Sequence, residues 1–239
     1  MSRIAPQWVG LGVGIALVAT IVGVEIRVHS EPRVVIGKND EVYYYRRATK
    51  EDALALGDAL QKIGFFNDRG TSVLLWLGGG PTIVSFVTNQ GAWEHPHVIS
   101  NFTEIGRRIA TSVGGFPIQV HLIDAARNIR KKMTVGKTMI GTKDIVYYFG
   151  DATLADARGL GEALRAAGYF ADRGATVALL KGEGTAISFV VQDGLWDNPA
   201  ALATLDKLVR QIAPAVGGLP IELRMLDRAM TIKQTLTIS

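Results

Sequence analysis

The chain has 239 residues, 48% hydrophobic and 20% charged, with 26 Lys and Arg against 22 Asp and Glu. This is the make-up of an ordered protein rather than a disordered or low-complexity chain, and a net charge of +4 falls well short of a dedicated nucleic-acid binder. The absence of cysteine excludes disulfides, thiolate metal sites and cysteine nucleophiles together.

The first element is apolar. Residues Trp8 to Val24 carry no charge, and with Ile4, Ala5, Ile26 and a snorkelling Arg27 they are long enough to predict one transmembrane helix. Val24, Ile26 and Val28 are too bulky for a signal-peptidase site, so the segment is expected to be retained. Gly10 and Gly14 form a GxxxG pair, and Ala16 with Thr20 repeats the small-xxx-small spacing, which predicts a face for close helix packing. Arg3 lies on one side of the span and Arg27, Arg33 and Lys38 on the other, so charge does not fix the orientation. The general habit of singly anchored bacterial proteins favours an extracytoplasmic body.

After the anchor and its flank, residues 1–32, the sequence repeats itself. Tyr43-Tyr44 returns as Tyr147-Tyr148 and Asp68-Arg69-Gly70 as Asp172-Arg173-Gly174, both 104 residues later. Beyond one hairpin the offset becomes 103, seen in Ser85-Phe86-Val87 against Ser188-Phe189-Val190 and in Trp93 against Trp196. Two tandem domains are expected, 33–136 and 137–239.

Each copy opens with an apolar strand, a polar turn and an aromatic strand, Val34 to Tyr45 and Met139 to Phe149, a hairpin pattern. Thr49-x-x-Asp52 and Thr153-x-x-Asp156 are capping-box helix starts, followed by Leu56 and Leu60, or Leu160 and Leu164, at helical spacing. Two strands follow, joined by Gly78-Gly79-Gly80-Pro81 or Gly182-Glu183-Gly184. A second helix begins at Pro96 or Pro199, where proline suits the first turn, and two more strands close each copy. The order is β-β-α-β-β-α-β-β. Its interior matches a ferredoxin-like split βαβ core, so the fold class expected is α+β, with an N-terminal transmembrane helix, two such repeats, and helices on one face of antiparallel sheets.

Candidates for chemistry are few. Glu94, His95 and His97 sit close together, but copy two has Asp197, Asn198 and Ala200 there, and ordinary polar residues at a helix start explain them better than a metal site. Trp93 and Trp196 stand in both copies and fit a clamp holding a helix start on a sheet. The Asp-Arg-Gly triplets fit turns in which the carboxylate satisfies backbone amides. Ser85 and Ser188 lack any nucleophile context. No catalytic, metal-binding or cofactor-binding residue is assigned, and no cofactor is expected. One cluster is asymmetric: Arg127, Arg130, Lys131, Lys132 and Lys137 lie at the joint between the copies and suit contact with an anionic surface or a partner.

The function expected from these features is a non-catalytic, membrane-anchored accessory or scaffold subunit of a larger membrane protein complex, with other subunits, the bilayer and its anionic headgroups as partners and no nucleic acid. The alternative is a membrane-tethered sensor that binds a small ligand in a cleft between the repeats.

Overall fold

The computed structural model describes residues 31–239. The predicted span, with Gly10, Gly14, Ala16 and Thr20, lies outside the described residues. Among those described, no helix is long and apolar enough to cross a membrane. The structure therefore lends no support to the single-pass membrane description.

Eleven strands form one sheet in strict chain order. The first repeat supplies β1 (Arg33–Ile36), β2 (Asp40–Arg46), α1 (Lys50–Lys62), β3 (Ser72–Leu77), β4 (Thr82–Val87), α2 (Pro96–Ile109) and β5 (Ile118–Ile123). The second supplies β7 (Asp144–Gly150), α3 (Leu154–Ala166), β8 (Thr176–Lys181), β9 (Thr185–Val190), α4 (Pro199–Ile212), β10 (Ile221–Leu226) and β11 (Ile232–Ile238). Between them runs β6 (Ile129–Ile140), twelve residues long, pairing with β5 on one edge and β7 on the other.

Local chemistry explains the helix starts. Thr49 Oγ1 accepts from the Asp52 amide at 3.2 Å while the Asp52 carboxylate accepts from the Thr49 amide at 2.9 Å, and Thr153 with Asp156 repeats the arrangement. Each such box satisfies two helix donors that would otherwise be orphaned. Behind them Leu56, Leu60, Leu160 and Leu164 are fully buried.

Strand order overturns the ferredoxin-like assignment. In a split βαβ unit a third strand lies between the two that a helix joins. Here each helix joins immediate neighbours running parallel: β2 with β3, β4 with β5, β7 with β8, and β9 with β10. The sheet is mixed, not antiparallel. Within the first repeat, α1 and α2 cover the same core cluster although the β2–β3 and β4–β5 pairs run in opposite directions. With strand order always advancing the same way, the two crossovers are therefore of opposite hand. One of each pair runs against the usual right-handed rule.

Nor do all helices share a face. Met133 and Val135 on β6 belong to the cluster under α1 and α2, whereas Ile140 on the same strand belongs to the cluster under α3 and α4. Successive side chains on a strand point to opposite faces, and Val135 and Ile140 are an odd number of residues apart. One unbroken strand thus turns the first repeat's helices to one face and the second repeat's to the other. Neighbours on β7 confirm it, since Tyr148 joins the second cluster and Phe149 packs on the first. Among the described residues, each repeat consequently has one sheet face with no helix on it, called helix-free below.

The Asp-Arg-Gly triplets are turns with a buried latch. Asp40 and Asp144 are each 1% exposed. Asp40 accepts from the amides of Asp68 and Thr71, both at 2.8 Å, and Asp144 accepts from Asp172, Gly174 and Ala175 at 2.8 to 2.9 Å. The Asp68 and Asp172 carboxylates reach back to the opening hairpins, taking the Lys38 amide at 2.6 Å and the Thr142 amide at 2.7 Å. Hydrogen bonding to the Thr142 amide is the main reason the Asp172 carboxyl titrates below its usual range. Neither Arg69 nor Arg173 takes part in these bonds.

Candidate functional site

The helix-free face of the first repeat is built from every second residue of β2 to β6, those alternating with the core. Strand register places them in two rows across the sheet. One row is Tyr43, Leu74, Ser85, His121 and Lys132; the next is Tyr45, Trp76, Ile83, Gln119 and Thr134. A cavity of about 520 Å³ opens on this face, with Leu74, Trp76, Ile83, Ser85, His121 and Ile123 among its walls and Arg46, Arg127 and Glu31 among its lining residues. That volume lies within the range of small-molecule sites.

Leu74, Ser85, His121 and Ile123 are at most 5% exposed although no helix of their own repeat covers them. The floor of this bowl is therefore largely buried, and its polar groups are few. His121 Nε2 lies 3.3 Å from Gln119 Oε1. Burial, with a smaller contribution from the Lys132 ammonium, holds the His121 pKa below the ordinary imidazole value, which keeps the ring neutral near pH 7. Tyr45 and Trp76 stack with ring centroids 4.2 Å apart and planes inclined by 17°, forming an aromatic wall.

Two arginines contribute to the lining. Arg127 donates to both Glu31 carboxylate oxygens at 2.7 Å and to Tyr45 Oη at 3.1 Å, and its guanidinium lies 5.2 Å from the Tyr43 ring centroid. The hydrogen bond to Arg127 is the largest influence holding the Glu31 pKa below its usual value. Arg46 differs: among the described residues no carboxylate lies within ion-pairing distance of it. Its backbone is left-handed, with φ at +61°.

The second repeat rebuilds the same rows with other chemistry. Leu74, Trp76 and Ile83 become Ala178, Leu180 and Ala186; Tyr45 becomes Phe149; Gln119 and His121 become Glu222 and Arg224. Where the first repeat has a neutral imidazole, the second has an ion pair, with Arg224 Nε 2.5 Å from Glu222 Oε1. Arg46 becomes Gly150, at φ +70°. Tyr43, Ser85 and Thr134 keep their identity, as Tyr147, Ser188 and Thr237. On the opposite, helix-covered face the two copies agree closely, with Val73, Leu75, Phe86 and Leu56 returning as Val177, Leu179, Phe189 and Leu160.

The residues singled out in the sequence are not brought together as a group. Arg127 reaches the bowl. Arg130 bonds to Asp124 at 2.9 Å and lies 5.5 Å from the Trp93 ring centroid. Lys132 stands beside His121 in the register, Lys131 shares the helix-covered face with Met133, and Lys137 lies 5.9 Å from the Tyr147 ring centroid. Trp93 packs on the first core cluster and Trp196 on the second. Each also receives a cation from its repeat's last strand, Arg130 or Lys233, consistent with a clamp. His95 and His97 stack with centroids 5.6 Å apart, and among the described residues no group of three or more metal-ligating side chains occurs. Tyr45, Trp76, His121 and Arg46 were not identified from the sequence; their signal was that each differs from its counterpart 104 or 103 residues on.

The sequence matches no protein-family model, and no curated protein or solved structure is significantly similar to it.

Proposed function

We propose that this chain is a non-catalytic binding module of the accessory-subunit class, in which the first repeat presents the binding surface and the second supplies structural support. The observation that carries this reading is where the copies diverge. Core positions are shared, while the helix-free rows change from Ala178, Leu180, Ala186 and Arg224 to Leu74, Trp76, Ile83 and His121. Exchanges on the helix-covered face, such as Val84 to Ile187 and Met133 to Leu236, keep its apolar character, whereas the helix-free rows change in bulk, aromaticity and charge, which supports a separate demand on that face. The joint between the repeats is a continuous strand rather than two facing surfaces, which favours the bowl over a cleft between the copies as the binding surface. The apolar stretch from Trp8 to Val24 plays no part in this reading.

The test converts the bowl to its second-repeat form by Leu74→Ala, Trp76→Leu and Ile83→Ala together. Native-size separation from the source cell is expected to show the wild-type chain within a larger assembly and the converted chain free, with cooperative unfolding retained. A control with Leu180→Val is expected to stay in the assembly. A converted chain that remains assembled at wild-type level would overturn the reading.

A further inference from the structure

Arg46 carries a backbone cost that its counterpart avoids. A residue with a side chain in the left-handed region is strained by about 1 kcal/mol or more, whereas glycine is at ease there. Gly150 fills the equivalent position in the second repeat at φ +70°, while the first repeat holds an arginine at φ +61°. Nothing within the described residues compensates Arg46, since no carboxylate pairs with it. Its place in the cavity lining supplies a reason for the cost.

The remaining lining narrows the ligand. The bowl has a stacked Tyr45–Trp76 wall, an aliphatic floor of Leu74, Ile83 and Ile123, and a volume of about 520 Å³. Flat apolar molecules gain both desolvation and ring contact from such a wall. Of its charged groups, Arg127 and Glu31 neutralise each other, which leaves Arg46 as the net positive charge. The deep polar groups, Ser85 and His121, are neutral and suit no second charge.

We infer that the bowl on the helix-free face of the first repeat binds a small aromatic carboxylate, its ring against Tyr45 and Trp76 and its carboxylate on Arg46. The inference rests on the proposal that this face is the chain's binding surface, and it names the occupant.

The test uses the full-length chain and two probes of matched shape, 2-naphthoate and the neutral 2-naphthylmethanol, titrated by calorimetry. The carboxylate is expected to bind one molecule per chain. Arg46→Gly, which copies the second repeat and relieves the strained backbone, is expected to unfold no earlier than wild type and to weaken naphthoate about tenfold or more, a charge-assisted pair's worth. The same change should leave naphthylmethanol within about threefold. Trp76→Leu is expected to weaken both probes. Absence of naphthoate binding up to about 1 mM, equal loss of both probes in Arg46→Gly, or binding indifferent to Trp76→Leu would each overturn the inference. None of these results would disturb the wider proposal, which is judged separately by the assembly size of the bowl-converted chain.

Discussion

Asp144→Ala is expected to be among the most damaging single substitutions in the chain, lowering unfolding free energy by about 4 kcal/mol. The Asp144 carboxylate is buried at 1% exposure and accepts three backbone amides, from Asp172, Gly174 and Ala175. Hydrogen bonds to a charged acceptor contribute about 1.5 to 3 kcal/mol each, and donors left buried without a partner cost more than the bond was worth. Alanine strands all three. Asp40→Ala strands two, those of Asp68 and Thr71, and should cost visibly less. Asp144→Asn keeps the oxygen that serves Gly174 and Ala175 but turns an amide group towards the Asp172 donor, so it should fall between wild type and alanine. Urea denaturation midpoints at constant slope provide the check. A loss under about 1 kcal/mol for Asp144→Ala would mean the latch is not a significant part of the fold's stability.

Gly136→Val is expected to cost about 3 kcal/mol for a different reason. Gly136 stands opposite Tyr148 in the β6–β7 register, and the tyrosine ring, 3% exposed, lies across the position where a Cβ would be. Any side chain there displaces a ring that belongs to the second repeat's buried core cluster. The cost is one of crowding, so trimming the ring should relieve it. Gly136→Val combined with Tyr148→Leu is expected to be more stable than the sum of the two single changes by about 1 kcal/mol or more, a coupling measurable by a double-mutant cycle. Strict additivity would show that glycine and ring do not meet.

Much of the local structure was legible in the chain. The capping boxes at Thr49 and Thr153, the proline helix starts at Pro96 and Pro199, and the turn character of Asp68 and Asp172 all follow from chemistry within a few residues. The strand order was not, because an element sequence of β-α-β says that two strands are joined and not whether a third lies between them. A clue was present in Val73-Leu74-Leu75, a run buried on both faces, as suits a strand in the middle of a sheet. The opposite placement of the helices was also written in the sequence, as the odd spacing from Val135 to Ile140. The domain boundary expected between residues 136 and 137 falls inside one unbroken strand, in which Gly136 leaves room for the Tyr148 ring to lie across it.

The bowl was legible only by comparison. Trp76 alone reads as one more apolar strand residue, and His121 as a lone buried histidine. Set against Leu180 and Arg224 they mark a face where the copies part company. Arg46 gave no sign at all, since a left-handed backbone is not visible in an arginine codon; the glycine at 150 hints at it only when the copies are aligned. The basic residues at the joint drew notice for their number, yet strand alternation and the pairs with Asp124 and Glu31 divide them between two faces.

Among the described residues no helix covers the bowl, because the first repeat's helices lie on one face and the second repeat's on the other, and that follows from β6 carrying the sheet straight through the joint. Amide hydrogen exchange along residues 129–140 of the full-length chain measures this directly. Protection of the sheet-bonded amides on both sides of Gly136, at levels comparable with those of β5, is the expected result. Fast exchange at Gly136 to Thr138, with protected amides on either side, would show two separate sheets joined by a linker and would contradict it.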